Sequence, residues 1–385
     1  MIRYMLRRSI IGIILLFVYV SILFFIIQLA LPGDYVSQFA MGLSNADSQN
    51  ARESLGLDKP ILERYLIWVS KLLRGDLGLA YSTWEQGMPV RDYIIQLLPA
   101  SILVFGIGTV VAFSIGLYLG KVSAWRKGGL LPGMITVSGI AFYTSFPPWL
   151  AFLIIYFVAS RLGLPVFGIA RSFRIREPAF KQYEILWLML FSLSLIIAAV
   201  ILINFILKRF DKKTIHGLLI FILVAFSWLG SWYLMDIQEY AWEISKGAIL
   251  PILTYTLLTF GEVMLLMRTS MSETVHEDYI WTARAKGLKE STVRDRHAAR
   301  NALLPVMSRM LVSIPYFLTG LVMIERVFDW AGIGTTLFYA VGMQNITLAL
   351  GMLIVIGVLS MVVRLVLDVL QFYLNPRIRE RNIYI

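Results

Sequence analysis

Residues 279–305 read YIWTARAKGLKESTVRDRHAARNALLP, a charged and nearly continuous helical stretch between two apolar runs of the chain. The rest of the chain is strongly apolar: 58% of its 385 residues are hydrophobic and only 15% are charged, whereas soluble domains carry about 25% charged residues. The mean hydropathy is +0.74. A segment this polar does not lie in a bilayer core, so the apolar runs beside it decide its place in the fold.

Several apolar runs reach the roughly 20 residues that a helix needs to cross a bilayer core. Eight runs are predicted to span the membrane: 9–31, 98–120, 134–160, 185–207, 215–235, 247–267, 303–324 and 346–373. A cleaved signal peptide is the alternative for the first run, but the run is too long for a signal-peptide core and no small-residue cleavage pattern precedes Pro32. We therefore expect an all-α polytopic membrane protein with about eight spans.

Lysine and arginine orient these spans, because cytoplasmic loops carry the excess of basic residues. With the amino terminus inside, five basic segments are cytoplasmic: 3–8, 121–127, 208–213, 268–302 and 377–382. Three external segments carry more acid than base: 33–95, 236–246 and 325–345. One basic external loop, 161–184, disagrees. This bias accounts for the net charge of +11 without a nucleic-acid partner, and it predicts that both termini and the quoted stretch face the cytoplasm.

The residue types that several chemistries need are missing or scattered. The chain has no cysteine, which excludes disulfides and thiolate sites. Its three histidines, His216, His276 and His297, lack zinc-site spacing and do not form the cluster that a membrane enzyme would need. A secondary transporter, the alternative from another class, would need inverted repeats and several paired ionisable residues at mid-membrane. Glu262 alone lies deep in a span, so we expect neither a metal site nor catalysis.

The charged stretch has the spacing of a helix–turn–helix elbow. Residues 278–286 are predicted to form a first helix that Gly287 ends in the left-handed conformation. Ser291 is placed to cap a second helix at 292–301, and Pro305 marks the start of the next span.

The first helix of the elbow is expected to carry only small residues on one side, which is therefore thin: Ala283, Ala285 and Gly287. A solvated loop that follows the positive-inside rule is the alternative, but such loops are usually short and irregular. A thin, capped helix that projects from a membrane protein suits insertion into a groove on a soluble partner.

Several stretches, in the right order along the chain, resemble the permease subunits of dipeptide/oligopeptide-type ABC transporters. TARAKGL at 282–288, followed by RHAARNALLP at 296–305, resembles the EAA loop of these permeases. The others are RYMLRRSIIGI at 3–13, LPGD at 31–34, GLDKPILERYLIWVSKLLRGDLG at 56–78, PVRDYIIQLLPAS at 89–101, LGLPVFG at 162–168, ERVFDWAGIGTTLFYAV at 325–341 and LNPRIR at 374–379.

This resemblance implies the type I ABC importer transmembrane fold in a prokaryotic inner membrane. The implied partners are a second homologous permease subunit, two cytoplasmic ABC ATPases, an extracellular or periplasmic substrate-binding protein and the surrounding lipid. Peptides are the implied substrate, although some members of this branch carry oligosaccharides or nickel complexes. ATP and Mg²⁺ would bind the ATPases, because this chain has no G-x-x-x-x-G-K-[ST] loop; it is expected to hold no cofactor and to be no enzyme.

By the same resemblance, residues 277–301 couple the permease to its ATPases. The matching positions are Tyr279, Thr282, Ala283, Arg284, Ala285, Lys286, Gly287, Leu288, His297, Arg300, Asn301 and Pro305. Trp281 departs from the general motif, which has a glutamate at this position.

A larger departure is an insertion at 170–245, in which two apolar runs are joined by KRFDKK. The family architecture has six spans, and adding two preserves the sidedness of the coupling loop. We expect this hairpin to pack at the periphery. The predicted segments are 1–32 (tail and first span), 33–97 (external region), 98–169 (second and third spans), 170–245 (inserted hairpin), 246–376 (permease core) and 377–385 (cytoplasmic tail).

Three residues are candidates for the translocation path. Glu262 is an acid within a span, where an unpaired carboxylate is costly; a structural ion pair is its alternative role. Phe146 and Pro147 lie in SFPPW, where the proline pair is expected to break or kink the third span. Such a break could open a cavity or serve packing.

Overall fold

The computed structural model describes residues 2–30, 49, 52, 58–82, 85–126, 129–166, 182–210 and 217–374. The helices in these ranges are α1 (Ile2–Ala30), α2 (Ile61–Leu73), α3 (Val90–Trp125), α4 (Leu130–Tyr143), α5 (Pro147–Ile154), α6 (Gln182–Arg209), α7 (Gly217–Leu234), α8 (Gln238–Thr274), α9 (Asp278–Ala285), α10 (Ala299–Val327), α11 (Ile333–Gly342) and α12 (Ile346–Leu374). A β-hairpin of β1 (Leu79–Ser82) and β2 (Glu85–Pro89) precedes α3. The predicted tail at 377–385 lies outside the described residues.

The helical membrane architecture is confirmed. Five helices of the described ranges are long and apolar enough to cross a membrane, within α1, α3, α6, α8 and α12, and the bent pair α4–α5 is a sixth candidate. The apolar runs at 215–235 and 303–324 fall in α7 and α10. The total of eight spans stays a prediction.

The third predicted span is broken at SFPPW. Helix α4 ends at Tyr143, α5 begins at Pro147, and the chain direction bends by 112° between α4 and the helical segment Pro147–Leu162. Pro147 and Pro148 occupy the first two positions of α5, where a missing backbone N–H costs no helical hydrogen bond. The helix continues from Ile155 through a π-helical turn to Leu162. The predicted break is therefore confirmed.

The most extensive contact between two helices in the described ranges is that of α3 with α8, and glycine makes their close approach possible. A Cβ at Gly116 would lie 2.7 Å from Cβ of Val263 and 2.8 Å from the carbonyl oxygen of Phe260, and one at Gly120 would lie 2.6 Å from the carbonyl oxygen of Met264. Small residues at this spacing let two membrane helices come into backbone contact. The ridge Gly108, Ala112, Gly116 and Gly120 thus has α8 as its partner.

The inserted hairpin packs on the outside of this pair. Ile185, Leu186 and Met189 of α6 are fully buried. One tryptophan joins the hairpin to α3: Nε1 of Trp187 in α6 donates to the carbonyl oxygen of Ile95 at 2.9 Å. Another joins the two helices of the hairpin: Nε1 of Trp228 in α7 donates to the carbonyl oxygen of Met189 in α6 at 2.8 Å. The far end of α6 is exposed and apolar, as a lipid-facing surface requires.

Helix α1 packs along α12, and α2 packs against the carboxyl-terminal half of α1. A guanidinium nitrogen of Arg8 is 3.2 Å from a carboxylate oxygen of Asp368. Helix α2, from the predicted external region, contacts α1 within the predicted first span: the hydroxyl groups of Ser21 and Tyr65 are 2.8 Å apart, and the rings of Phe24 and Trp68 lie 5.2 Å apart between centroids. The amino-terminal helix is thereby an integral part of the fold.

A buried carboxylate joins three elements on the predicted external side. Glu325 near the end of α10 is fully buried. Its Oε1 accepts a hydrogen bond from the Ser101 hydroxyl of α3 at 2.6 Å, and its Oε2 accepts from the backbone N–H groups of Gly334 and Thr335 at 2.7 and 3.1 Å. Glycine is needed at 332 and 334, because a Cβ at either position would collide with this carboxylate.

Candidate functional site

The first half of the elbow folds as its sequence predicts. Helix α9 ends at Ala285, and Gly287 has φ of 71°, the left-handed conformation that glycine adopts without strain. The N–H of Gly287 donates to the carbonyl of Arg284 at 2.9 Å, and that of Leu288 donates to Ala283 at 3.4 Å. This pair of hydrogen bonds is the Schellman motif, which satisfies carbonyls that the helix end leaves free.

The second half differs from the prediction. The helix begins after Lys289, which stands at the N-cap position without a side-chain hydrogen bond, and Ser291 lies within the first turn; the N–H groups of Thr292 and Val293 donate to the carbonyl of Lys289 at 2.8 and 3.0 Å. From Glu290 it runs through a π-helical segment, Val293–Ala298, directly into α10. The predicted helix 292–301 therefore has no end of its own.

Pro305 lies inside this continuous helix, so no break separates the second half of the elbow from the predicted span at 303–324. A proline in a helix interior removes one hydrogen bond. The helix persists because Ala298, Ala302 and Val306, four residues apart, form a buried stripe across the proline. Pro305 itself is on the exposed side.

The outward surface of α9 consists of Tyr279, Trp281, Thr282, Ala285, Lys286, Gly287 and Leu288, all exposed. Ile280 and Ala283 face inward, with exposures of 0% and 5%. The expectation that Ala283, Ala285 and Gly287 share one thin side is wrong, because residues two apart on a helix do not face the same way. The small side chain of Ala283 serves packing inside the subunit, and the surface open to a partner is flanked by two aromatic rings.

Arg284 fastens the elbow to the end of α3. Its guanidinium carbon lies 5.3 Å from the ring centroid of Trp125 and 5.7 Å from that of Trp281, within cation–π range. Its Nε and Nη2 also donate to the two carboxylate oxygens of Glu290 at 2.9 and 3.4 Å. Trp281, the departure from the general motif, thus helps to hold the central arginine of the elbow.

A second link joins the same two elements through Asp295. Its Oδ1 is 2.8 Å from Nζ of Lys121 in α3, and its carboxylate accepts two hydrogen bonds from Arg294 at 3.0 and 2.8 Å. The hydrogen bonds from Arg294, with a further contribution from Lys121, hold the pKa of Asp295 well below its ordinary range. Asp295 therefore stays ionised at every physiological pH.

The remaining coupling candidates lie on the helix that follows. His297 is half-buried in the π-helical segment, whereas Arg300 and Asn301 are exposed. Arg300 lines an open cleft of about 710 Å³ between this helix and α3. The elbow candidates therefore divide between the surface of α9 and this cleft.

Glu262 lies beside the crossing of α4 and α8, whereas Phe146 and Pro147 lie at the break that follows α4. Gly261 contacts the carbonyl oxygen of Gly139, so the backbones of these two helices touch beside Glu262, which is half-buried and has an interaction partner. Phe146 is 65% exposed at the break that follows α4, and Pro147 is half-buried. Across the described ranges no group of three or more histidine, aspartate or glutamate residues could hold a metal ion.

Two features of the site lie beyond the sequence reasoning. Lys121 and Asp295 are far apart in the chain, and no local pattern pairs them. Glu325 is an acid in a predicted external segment, where a solvated side chain is the ordinary expectation. The glycines seven and nine residues later, at 332 and 334, are the signal that could have revealed a buried contact.

Known proteins match the chain along most of its length. The family described as binding-protein-dependent transport system inner membrane component matches residues 215–380, and the amino-terminal model of the same membrane components matches residues 1–100. The two models together cover more than half of the chain.

Similar proteins include the di/tripeptide transport system permease protein DppB of Pseudomonas aeruginosa, 29% identical over 94% of this chain and 95% of that protein. The oligopeptide transport system permease protein AppB of Bacillus subtilis is 28% identical over 98% of this chain and 99% of its own. The dipeptide transport system permease protein DppB of Escherichia coli is 24% identical over 99% and 100%. The chain therefore belongs to the family of inner membrane components of binding-protein-dependent transport systems, as a multi-pass ABC-transporter permease.

Proposed function

We propose that the chain is the transmembrane permease subunit of an ATP-driven importer of di- and oligopeptides. The exposed surface of α9, which Arg284 joins to α3 through the ring of Trp125, is the observation that carries this proposal. A short capped helix with exposed rings suits a groove on a soluble protein. The relatives, named as di/tripeptide, oligopeptide and dipeptide permeases, support the choice of substrate.

In this proposal the translocation path forms between the chain and a second homologous permease. One cytoplasmic ATPase binds the elbow at 277–301 of this chain, and a second ATPase binds the corresponding elbow of the second permease. An external binding protein delivers the substrate. ATP and Mg²⁺ bind the ATPases, so the chemical step occurs outside this chain, which holds no cofactor of its own. Glu262, beside the crossing of α4 and α8, and Phe146, at the break after α4, are proposed to face the path.

Affinity purification of the tagged chain from its native membrane, with mass spectrometry of its partners, tests the assembly. A second permease and ATPases with phosphate-binding loops are the expected partners. Reconstituted complexes should then take up labelled dipeptides only with ATP, whereas uptake of oligosaccharides or nickel complexes instead would replace the substrate class. Recovery of the chain alone, active in liposomes without ATP, would make it a secondary transporter.

A matched pair of glycine variants tests the elbow. Gly287 and Gly163 both have positive φ, 71° and 62°, and a Cβ at either would meet no described atom within 4 Å. Valine should therefore strain each site by a similar amount, about 1–2 kcal/mol. Gly287→Val should lower the amount of ATPase that co-purifies with the chain, while Gly163→Val should leave it unchanged. Equal recovery from both variants would refute the assignment of the elbow.

A further inference from the structure

The cleft between α3 and the start of α10 has a graded lining. Leu117 of α3, Leu303 of α10 and Met267 of α8, which closes the inner end, form the apolar part, and Lys121, Arg296 and Arg300 form the opposite end. Arg296 and Leu303 are seven residues apart, so the lining changes from cationic to apolar over roughly 10 Å along the helix axis. Both helices place their cations at the end nearer the elbow. With the elbow in the cytoplasm, the apolar end points into the membrane.

The cationic end of the cleft carries an excess of positive charge. Its lining residues include three cations and one acid, Asp295. The carboxylate of Asp295 already pairs with Lys121 and with Arg294, which lies outside the lining. Arg296 and Arg300 are exposed, and neither forms an ion pair with another described residue. Two guanidinium groups four residues apart on one helix face suit a phosphate, which accepts two parallel hydrogen bonds from each arginine.

We propose that this cleft binds the phosphate headgroup of an anionic phospholipid from the cytoplasmic leaflet. A soluble anion would satisfy the arginines but leave the apolar wall in contact with water. A phospholipid satisfies both ends of the cleft: its phosphate contacts the arginines, and its acyl chains, which begin a short distance from the phosphate, contact the apolar residues. Basic pockets between membrane helices on the cytoplasmic side are the ordinary place for such headgroups.

The position of the cleft gives the lipid a structural role. One wall belongs to α3 and the other to the helix that follows the elbow, so a bound phosphate bridges the two elements that Lys121 and Asp295 also connect. The lipid would therefore reinforce the link through which displacement of the elbow reaches α3. This inference rests on the cleft alone and does not depend on peptides being the substrate.

Native mass spectrometry of the delipidated full chain tests the proposal, with phosphatidylglycerol titrated against phosphatidylcholine as the neutral reference. The wild type should retain phosphatidylglycerol in preference. Arg296→Gln/Arg300→Gln should weaken that binding at least tenfold. The matched control is Lys208→Gln/Arg209→Gln, which removes the same charge from the exposed end of α6 and should leave the binding unchanged.

Four outcomes would overturn the assignment. These are equal retention of the two lipids, equal loss of binding in both double variants, and tighter binding of inorganic phosphate than of phosphatidylglycerol, which would make the cleft a soluble-anion site. The fourth is loss of co-purifying ATPase from Arg296→Gln/Arg300→Gln with lipid binding intact, which would make the arginines a protein contact. Unchanged elution on size exclusion confirms that each variant is folded, and the arginines can be replaced singly if the pair is not.

Discussion

Replacing Glu325 with alanine should destabilise the protein far more than replacing it with glutamine. The carboxylate accepts hydrogen bonds from the Ser101 hydroxyl and from the backbone N–H groups of Gly334 and Thr335, at 2.6, 2.7 and 3.1 Å. The Ser101 hydroxyl can rotate toward another acceptor, but the two N–H groups are fixed by the first turn of α11. Alanine leaves both of them buried without a partner.

The two variants differ because an orphaned donor costs more than a hydrogen bond contributes. Each buried, unpaired N–H costs about 1–3 kcal/mol, and removal of the buried charge recovers part of that sum. We expect Glu325→Ala to lower the free energy of unfolding by about 2–4 kcal/mol. Glutamine can turn its amide oxygen toward Gly334 and Thr335 and its amide nitrogen toward Oγ of Ser101, so Glu325→Gln should cost no more than about 1 kcal/mol.

Reversible unfolding of the purified protein in mixed detergent micelles measures both free energies. Far-UV circular dichroism follows the unfolding, because Trp330, whose indole nitrogen donates to the carbonyl oxygen of Ala100 at 3.1 Å, is one of ten tryptophans and its fluorescence cannot be separated from theirs. Equal losses in the two variants would mean that the negative charge is required, and that satisfied hydrogen bonds are not enough. No loss in Glu325→Ala would mean that water replaces the carboxylate, which would refute the account of a dry, closed network.

The other predictions concern the α3–α8 contact, the elbow and the topology. Gly116→Ala should lower the free energy of unfolding by about 1–3 kcal/mol, because the new methyl group meets the backbone of α8. Gly106→Ala on the same helix should leave the free energy of unfolding unchanged, because a Cβ there meets no described atom within 4 Å. Equal losses in the two variants would contradict the packing of α3 on α8. Asp295→Asn should lower the thermal midpoint by the same amount from about pH 5 to pH 8. The pKa of Asp295 is lower in the folded protein than in the unfolded chain, so its ion pairs stabilise the fold fully above the unfolded-state pKa and are lost only as the pH falls through the folded-state pKa. A difference in thermal midpoint between wild type and variant that shrinks between about pH 5 and pH 8 would contradict the ion pairs. In this chain without cysteine, a membrane-impermeant thiol reagent added outside should label Glu239→Cys and not Phe210→Cys, and the reverse pattern would refute the predicted sidedness.

The parts of the site that the sequence predicted depend on residues that are neighbours in the chain. Gly287 ends α9 because a left-handed residue after a helix is a local requirement, and glycine meets it at the lowest cost. Pro147 and Pro148 break the third span for a similar local reason, the absence of a backbone N–H. Pro305 shows the limit of the same rule, because a buried stripe on the opposite side of the helix holds it together across the proline.

The parts that could not be predicted depend on partners distant in the sequence. The small-residue ridge of α3 is visible as a pattern, but its contact with Val263 and Met264 of α8 follows from the assembled fold. The same holds for Lys121 and Asp295, whose pairing requires α3 to end beside the elbow. Charge counting places such residues on the cytoplasmic side and says nothing about which of them meet.

These distant contacts determine how a push on the elbow would spread through the subunit. Helix α9 is joined to α3 by the stacking of Arg284 on Trp125, and the segment after it by the pair Lys121–Asp295. Because α3 packs on α8 through backbone contacts at Gly116, those two helices cannot slide independently without opening the interface. The elbow is flanked in the chain by α8 and α10. Displacement of the elbow would therefore move α3 and α8 as one unit, together with α10. The end of α4, where Tyr143 approaches Gly261 beside Glu262, lies directly against that unit, so we expect such a movement to change the shape of the membrane region next to this path candidate.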